Sequence, residues 1–133
     1  MYLRFVSPVG ADRRRGQYGL FTPAFDIAYD GAIPYGLYRP IREELDWFNA
    51  NLPAPQRRHF RVKSRKRWRD EGICWFRDDA AEMIVHANIL VALLRECGVD
   101  IARLHTRSPG QILYRDDYQV VAKPAAVTPV RWH

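Results

Sequence analysis

Two cysteines and three lysines stand in a chain of 133 residues, and no apolar run is longer than residues 89–94. Each scarcity excludes something. A helix that crosses a bilayer needs about 20 consecutive apolar residues, so no membrane segment is expected. Arg4 interrupts the N-terminal apolar stretch and charge returns at residues 12–15, which argues against a signal peptide. Cys74 and Cys97 bracket a helix-like stretch. At a rise of 1.5 Å per residue the stretch separates them by about 25 Å, whereas a disulfide needs Cα atoms within roughly 7 Å. Thiols that do not pair with each other fit a reducing compartment, and the expected location is cytoplasmic. The chain also lacks GxGxxG, P-loop and CxxC signatures, so neither a nucleotide cofactor nor structural zinc is expected.

What is present looks globular. Hydrophobic residues make up 47% and charged residues 27%, both ordinary values for a folded domain. The length suits one domain, expected over residues 1–124, with 125–133 as a flexible tail. The formal net charge is +6, and 18 of the 21 basic residues are arginine. Arginine presents a flat donor fork that suits carboxylates, phosphates and aromatic faces.

Residues 1–6 alternate as a strand, with Leu3 and Phe5 on one face and Tyr2, Arg4 and Val6 on the other. Residues 7–17, with Pro8, Gly10 and Gly16, read as a loop. Residues 18–29 are weakly helical. Residues 40–51 are a clearer helix, because Ile41, Leu45, Phe48 and Leu52 recur at spacings of four and three. Residues 73–76 read as a buried strand, with Cys74 a core thiol between Ile73 and Trp75. Residues 79–97 form one long central helix. Asp79 and Glu82 make a capping-box pattern, Gly98 sits where a C-terminal glycine belongs, and the apolar positions exceed one face, so the helix is expected to be covered on most sides. Residues 99–104 read as a strand, and 111–115 with 118–123 as a hairpin turning at Asp116 and Asp117. The result is an α+β fold in the order β-α-α-β-α-β-β-β. The β-helix-β segments favour parallel neighbours and the last hairpin is antiparallel, so a mixed sheet is expected.

Several stretches, MYLRFV, LDWFNANL, GICWFRDDA and PGQILYRDDYQVVAKP, together resemble a family of small bacterial proteins to which no activity is attached. The resemblance implies one intact domain and a bacterial, cytoplasmic protein. It brings no catalytic residue, cofactor or partner.

The strongest functional signal is a basic segment. Arg57, Arg58, Arg61, Lys63, Arg65, Lys66, Arg67 and Arg69 fall within residues 57–69, which contain no acid and interleave His59, Phe60 and Trp68. Such charge attracts phosphate, and aromatic rings stack on unpaired bases. The plainer alternative is a solvated segment whose arginines pair with Asp70, Glu71, Asp78 and Asp79. Asp79, Glu82 and His86 share a helix face at metal-ligand spacing, with a cap and a Glu–His pair as the simpler reading. His105 between Arg103 and Arg107 has the residue types for metal-free RNA cleavage, or is a strand end facing water.

The expected function is a non-enzymatic binding or accessory protein that offers residues 57–69, with Arg13, Arg14 and Arg15 as a second patch, to nucleic acid or an acidic protein partner. Two alternatives stay open. One is a small toxin-like ribonuclease with His105 or His59 as general base. The other is a protein-interaction module that binds no nucleic acid. The oligomeric state, a homodimer included, is left open.

Overall fold

The structure, a computed structural model, describes residues 1–12, 16–30, 32, 34–55 and 72–129. Six strands and three helices are present among them: β1 (Tyr2–Asp12), β2 (Gly16–Gly19), α1 (Phe21–Ala28), α2 (Tyr35–Asn51), β3 (Ile73–Arg77), α3 (Ala81–Glu96), β4 (Ala102–Thr106), β5 (Gln111–Arg115) and β6 (Gln119–Lys123). The class is α+β, as expected. No described helix is long and apolar enough to cross a membrane.

Every strand pairing among the described residues is antiparallel, so the parallel neighbours of a mixed sheet do not occur. The reason lies in β1. Tyr2 pairs with both Arg77 of β3 and Thr106 of β4. A strand has two edges, so β1 lies between β3 and β4. The α3 crossover does join two strands of like direction, but β1 fills the gap between them, in a split β-α-β arrangement. Val6 likewise pairs with both Gly19 of β2 and Ala102 of β4. Hence β2 and β3 share one edge of β1, and β4 holds the other.

The stretch expected as a loop after Val6 is the outer half of β1 and then β2. The register slips between Ser7 and Asp12. Pro8 and Gly10 fall inside that irregularity, where a missing N–H and a missing side chain are tolerated.

The helices cover one face. Leu3, Phe5 and Phe76 meet Ile41, Leu45 and Phe48 of α2 and Met83, Leu90 and Leu94 of α3 in one cluster. A second cluster, Ile73, Trp75 and Val120, holds the opposite face with Tyr2, Leu104 and Ile112 packed against it. The alternation read in β1 is thus observed.

Local chemistry explains the helix ends. α2 begins at Tyr35, ahead of Pro40. Arg42 holds the early turns down: its Nε donates to the Ala28 carbonyl at 3.0 Å, and its guanidinium lies 4.5 Å from the Tyr29 ring and 4.9 Å from the Tyr38 ring. The capping box of α3 does not form. Its N-cap is Ala80, with no side-chain cap, because both Asp79 oxygens accept from Arg77, at 3.0 and 2.7 Å. The other end closes as expected. Gly98 has φ +84, its N–H donates to the Arg95 carbonyl, and the Val99 N–H donates to the Leu94 carbonyl, a Schellman motif. Val99 is used in that motif, so β4 starts three residues later than the pattern suggested. α3 is also not covered on most sides: Val85 is 56% and Ile89 41% exposed.

The β5–β6 hairpin matches the expectation. Asp116 Oδ1 accepts from the backbone N–H groups of Tyr118 and Gln119 at 2.8 and 2.9 Å. Beyond β6 the chain is tied back rather than loose as far as it is described: Thr128 is buried and its hydroxyl donates to the Ser108 carbonyl at 2.9 Å.

Candidate functional site

The shared edge of β1 borders a concavity. β3 pairs with β1 at Tyr2 and Leu3, and β2 takes over at Val6. The ladder therefore changes strand across Arg4 and Phe5. A cavity of about 600 Å³ lies at this fork. Phe5, Leu20, Phe21, Phe25, Trp75 and Phe76 supply its apolar wall.

Three lining residues bring chemistry. Arg4 comes from the middle of an apolar strand and is only 9% exposed. Trp75 is 1% exposed, and its Nε1–H has no hydrogen-bond acceptor. A buried donor left in that state costs about 1–3 kcal/mol. Cys74 is exposed, contrary to the expectation of a core thiol. It shares a face with Phe76, which lies 6.4 Å from the Phe5 ring and 6.2 Å from the Phe48 ring. Phe76 is thus roofed by aromatic neighbours, while Cys74 borders the cavity. The far end is fixed by Gln119, whose Nε2 donates to the Pro53 carbonyl at 2.6 Å and to Asp116 Oδ2 at 3.1 Å.

The other constellations separate. Asp79, Glu82 and His86 do not assemble a metal site, and no such cluster occurs among the described residues. Asp79 is held by Arg77, whose guanidinium is pushed further toward its charged form by that hydrogen bond first and by the Asp79 charge second. His86 turns to α2 instead of Glu82: its Nδ1 lies 2.6 Å from Glu44 Oε2, and its ring stacks 3.5 Å from Trp47 at 11°. This carboxylate–imidazole–indole stack joins α2 to α3, and no sequence motif announces it. Arg103, His105 and Arg107 are exposed, on and just beyond β4, and none of them lines the fork. Asp116 serves the turn, as its position suggested, and Tyr114 donates its hydroxyl to Asp116 Oδ2 at 2.8 Å.

The basic segment lies outside the described residues, and so do Arg13, Arg14, Arg15, His59 and His133. That covers Arg57, Arg58, Arg61, Lys63, Arg65, Lys66, Arg67, Trp68 and Arg69. Two of the four acids able to neutralise the segment are described. Asp78 lies 3.5 Å from the N-terminal ammonium, and Asp79 is paired with Arg77 at 2.7 Å.

Comparison with known protein families, with curated proteins and with solved structures finds no match to this chain.

Proposed function

We propose that the protein is a non-enzymatic binding or accessory protein that offers residues 57–69 to a polyanion, nucleic acid first. One observation carries the reading: eight arginine and lysine residues stand in an acid-free stretch, while Asp78 and Asp79, two of its four candidate internal partners, are already engaged by other cations. The arginines would contact phosphate, and Phe60 and Trp68 would offer flat surface to unpaired bases.

Titration of a single-stranded RNA oligonucleotide at rising salt tests this. Each phosphate contact contributes about −0.7 to the slope of log K against log salt. Replacing Arg65, Arg67 and Arg69 together by Gln is expected to flatten the slope by about 2, by the same relation. Absence of binding at low salt overturns the nucleic-acid reading. A protein complex that survives nuclease treatment would point to an acidic protein partner in its place.

A further inference from the structure

We propose that the open edge of β4 is a docking site for an acidic extended peptide, which adds to the sheet as a further strand. The inference uses no residue of the basic segment and stands or falls separately from it.

Among the described residues β4 pairs with β1 alone. In an antiparallel ladder alternate residues turn their N–H and C=O groups to opposite sides, so every second residue of β4 turns its backbone groups away from β1. An edge of this kind is a template for another strand. The β5 edge differs: it carries a register slip between Ile112 and Tyr114, and such irregularities blunt an edge. β4 keeps one register from Ala102 to Thr106. Its side chains set the chemistry of the partner. Arg103 and His105 lie opposite Phe5 and Leu3, on the face that the helices cover further in, yet both are exposed. Arg107, two residues on, is exposed as well. No acid pairs with any of the three among the described residues. The side chains of an added strand would stand about 4.5–5.5 Å from this row, which suits carboxylates. On the other face Leu104 is half-buried against Ile73, Trp75 and Val120, which suits an apolar side chain. The partner strand therefore alternates acidic and apolar residues. A second copy of the chain fits poorly, because β4 paired with itself about Leu104 would set Arg103 against His105 with no acid to meet either. Nucleic-acid phosphates accept hydrogen bonds but donate none, so they would leave the outward carbonyls of the edge unmet, whereas a peptide strand serves both groups.

The probe is the peptide Glu-Val-Glu-Val-Glu, amidated and carrying a fluorophore at its N-terminus, with Lys-Val-Lys-Val-Lys prepared in the same way. Fluorescence anisotropy titration with the full chain is expected to show saturable binding of the acidic peptide at least tenfold tighter than of the basic one. Two further acidic peptides carry N-methyl groups, one on its valines and one on its glutamates. A methylated amide cannot donate, and only one of the two sets faces β4. One methylated peptide is therefore expected to lose at least tenfold in affinity and the other to stay within about threefold of the parent. The double variant Arg103→Glu, His105→Glu is expected to reverse the preference and bind the basic peptide at least fivefold tighter than the acidic one. Should that variant fail to fold, the methylated pair still decides on the unmodified protein. No saturable binding at millimolar peptide, equal affinity for the two methylated forms, or a preference unchanged by the double substitution would each overturn the proposal. The last two are the results that capture of the acidic peptide by residues 57–69 through charge alone would give.

Discussion

The two ends of the shared edge of β1 differ sharply although they lie within one strand. At Leu3 the strand is paired on both sides and roofed by α2 and α3, where Ile41, Ala87, Leu90 and Leu94 are completely buried. At Arg4 and Phe5, one step on, the edge changes partner and a cavity opens. The first region is close-packed, apolar and satisfied. The second holds a buried arginine, an indole N–H without acceptor and an exposed thiol. Local rules of packing and hydrogen bonding agree in the first and conflict in the second, and such conflict is where binding sites are commonly found.

The largest expected effect tests that contrast directly. Leu90→Ala removes a fully buried side chain from the roof and is expected to cost about 2–5 kcal/mol. Phe25→Ala removes a larger side chain from the cavity wall, where it is 41% exposed, and is expected to cost less than about 1 kcal/mol, since little close packing is lost. Urea denaturation of the two variants against the parent measures both. Equal losses would mean that the fork is as tightly packed as the roof and would remove the distinction.

A smaller effect is expected at Gly110, just before β5 in the hairpin whose β6 strand pairs with β3. Its φ is +106, and a Cβ there would lie 1.9 Å from the Lys123 carbonyl oxygen. Only glycine fits this approach. Gly110→Ala is expected to cost about 1–3 kcal/mol through backbone strain. If circular dichroism and tryptophan fluorescence still unfold together in this variant, the hairpin and the helix-packed region form one cooperative unit. Separate transitions would show that the hairpin unfolds alone.

The sequence was a good guide wherever a local pattern settles the outcome. The stripe of Ile41, Leu45 and Phe48, the glycine after α3, the alternation of Leu3 and Phe5, and the turn at Asp116 all appear as their spacing indicates. It misled where two local rules compete. Asp79 suits a cap, but Arg77 two residues earlier binds it more strongly. Pro8 and Gly10 suit a loop, but they sit in a register slip of β1. The site itself was beyond local reading. Arg4 was visible as a charge inside a strand, yet its role depends on which strands flank β1, and no spacing encodes that. Cys74 looked buried because its neighbours are apolar, whereas its exposure is set by where the roof of aromatic rings ends. The Glu44–His86 pair spans 42 positions, far beyond any helical period.

The smallest effect lies at the other end of the same hairpin, and its pH dependence sets it apart. Burial, and then the hydrogen bond to Asp116, push the Tyr114 hydroxyl from 10.0 up to about 12. The folded protein therefore keeps this proton over a range in which the unfolded chain has released it. Stability resting on the neutral phenol is fully present below about pH 10 and is lost as pH rises from there toward 12. Tyr114→Phe keeps the ring and deletes the titration. At pH 8 the variant is expected to be less stable by about 0.5–1 kcal/mol, the net worth of one partly buried hydrogen bond. The gap is expected to narrow steadily above pH 10. The parent thus carries an alkaline loss that the variant lacks, and denaturation of both proteins at pH 8, 10 and 11.5 measures it. A gap that stays constant over that range would show that the Asp116 contact does not hold the Tyr114 proton. The hairpin would then owe its stability to the backbone capping of Asp116 and to the close approach at Gly110.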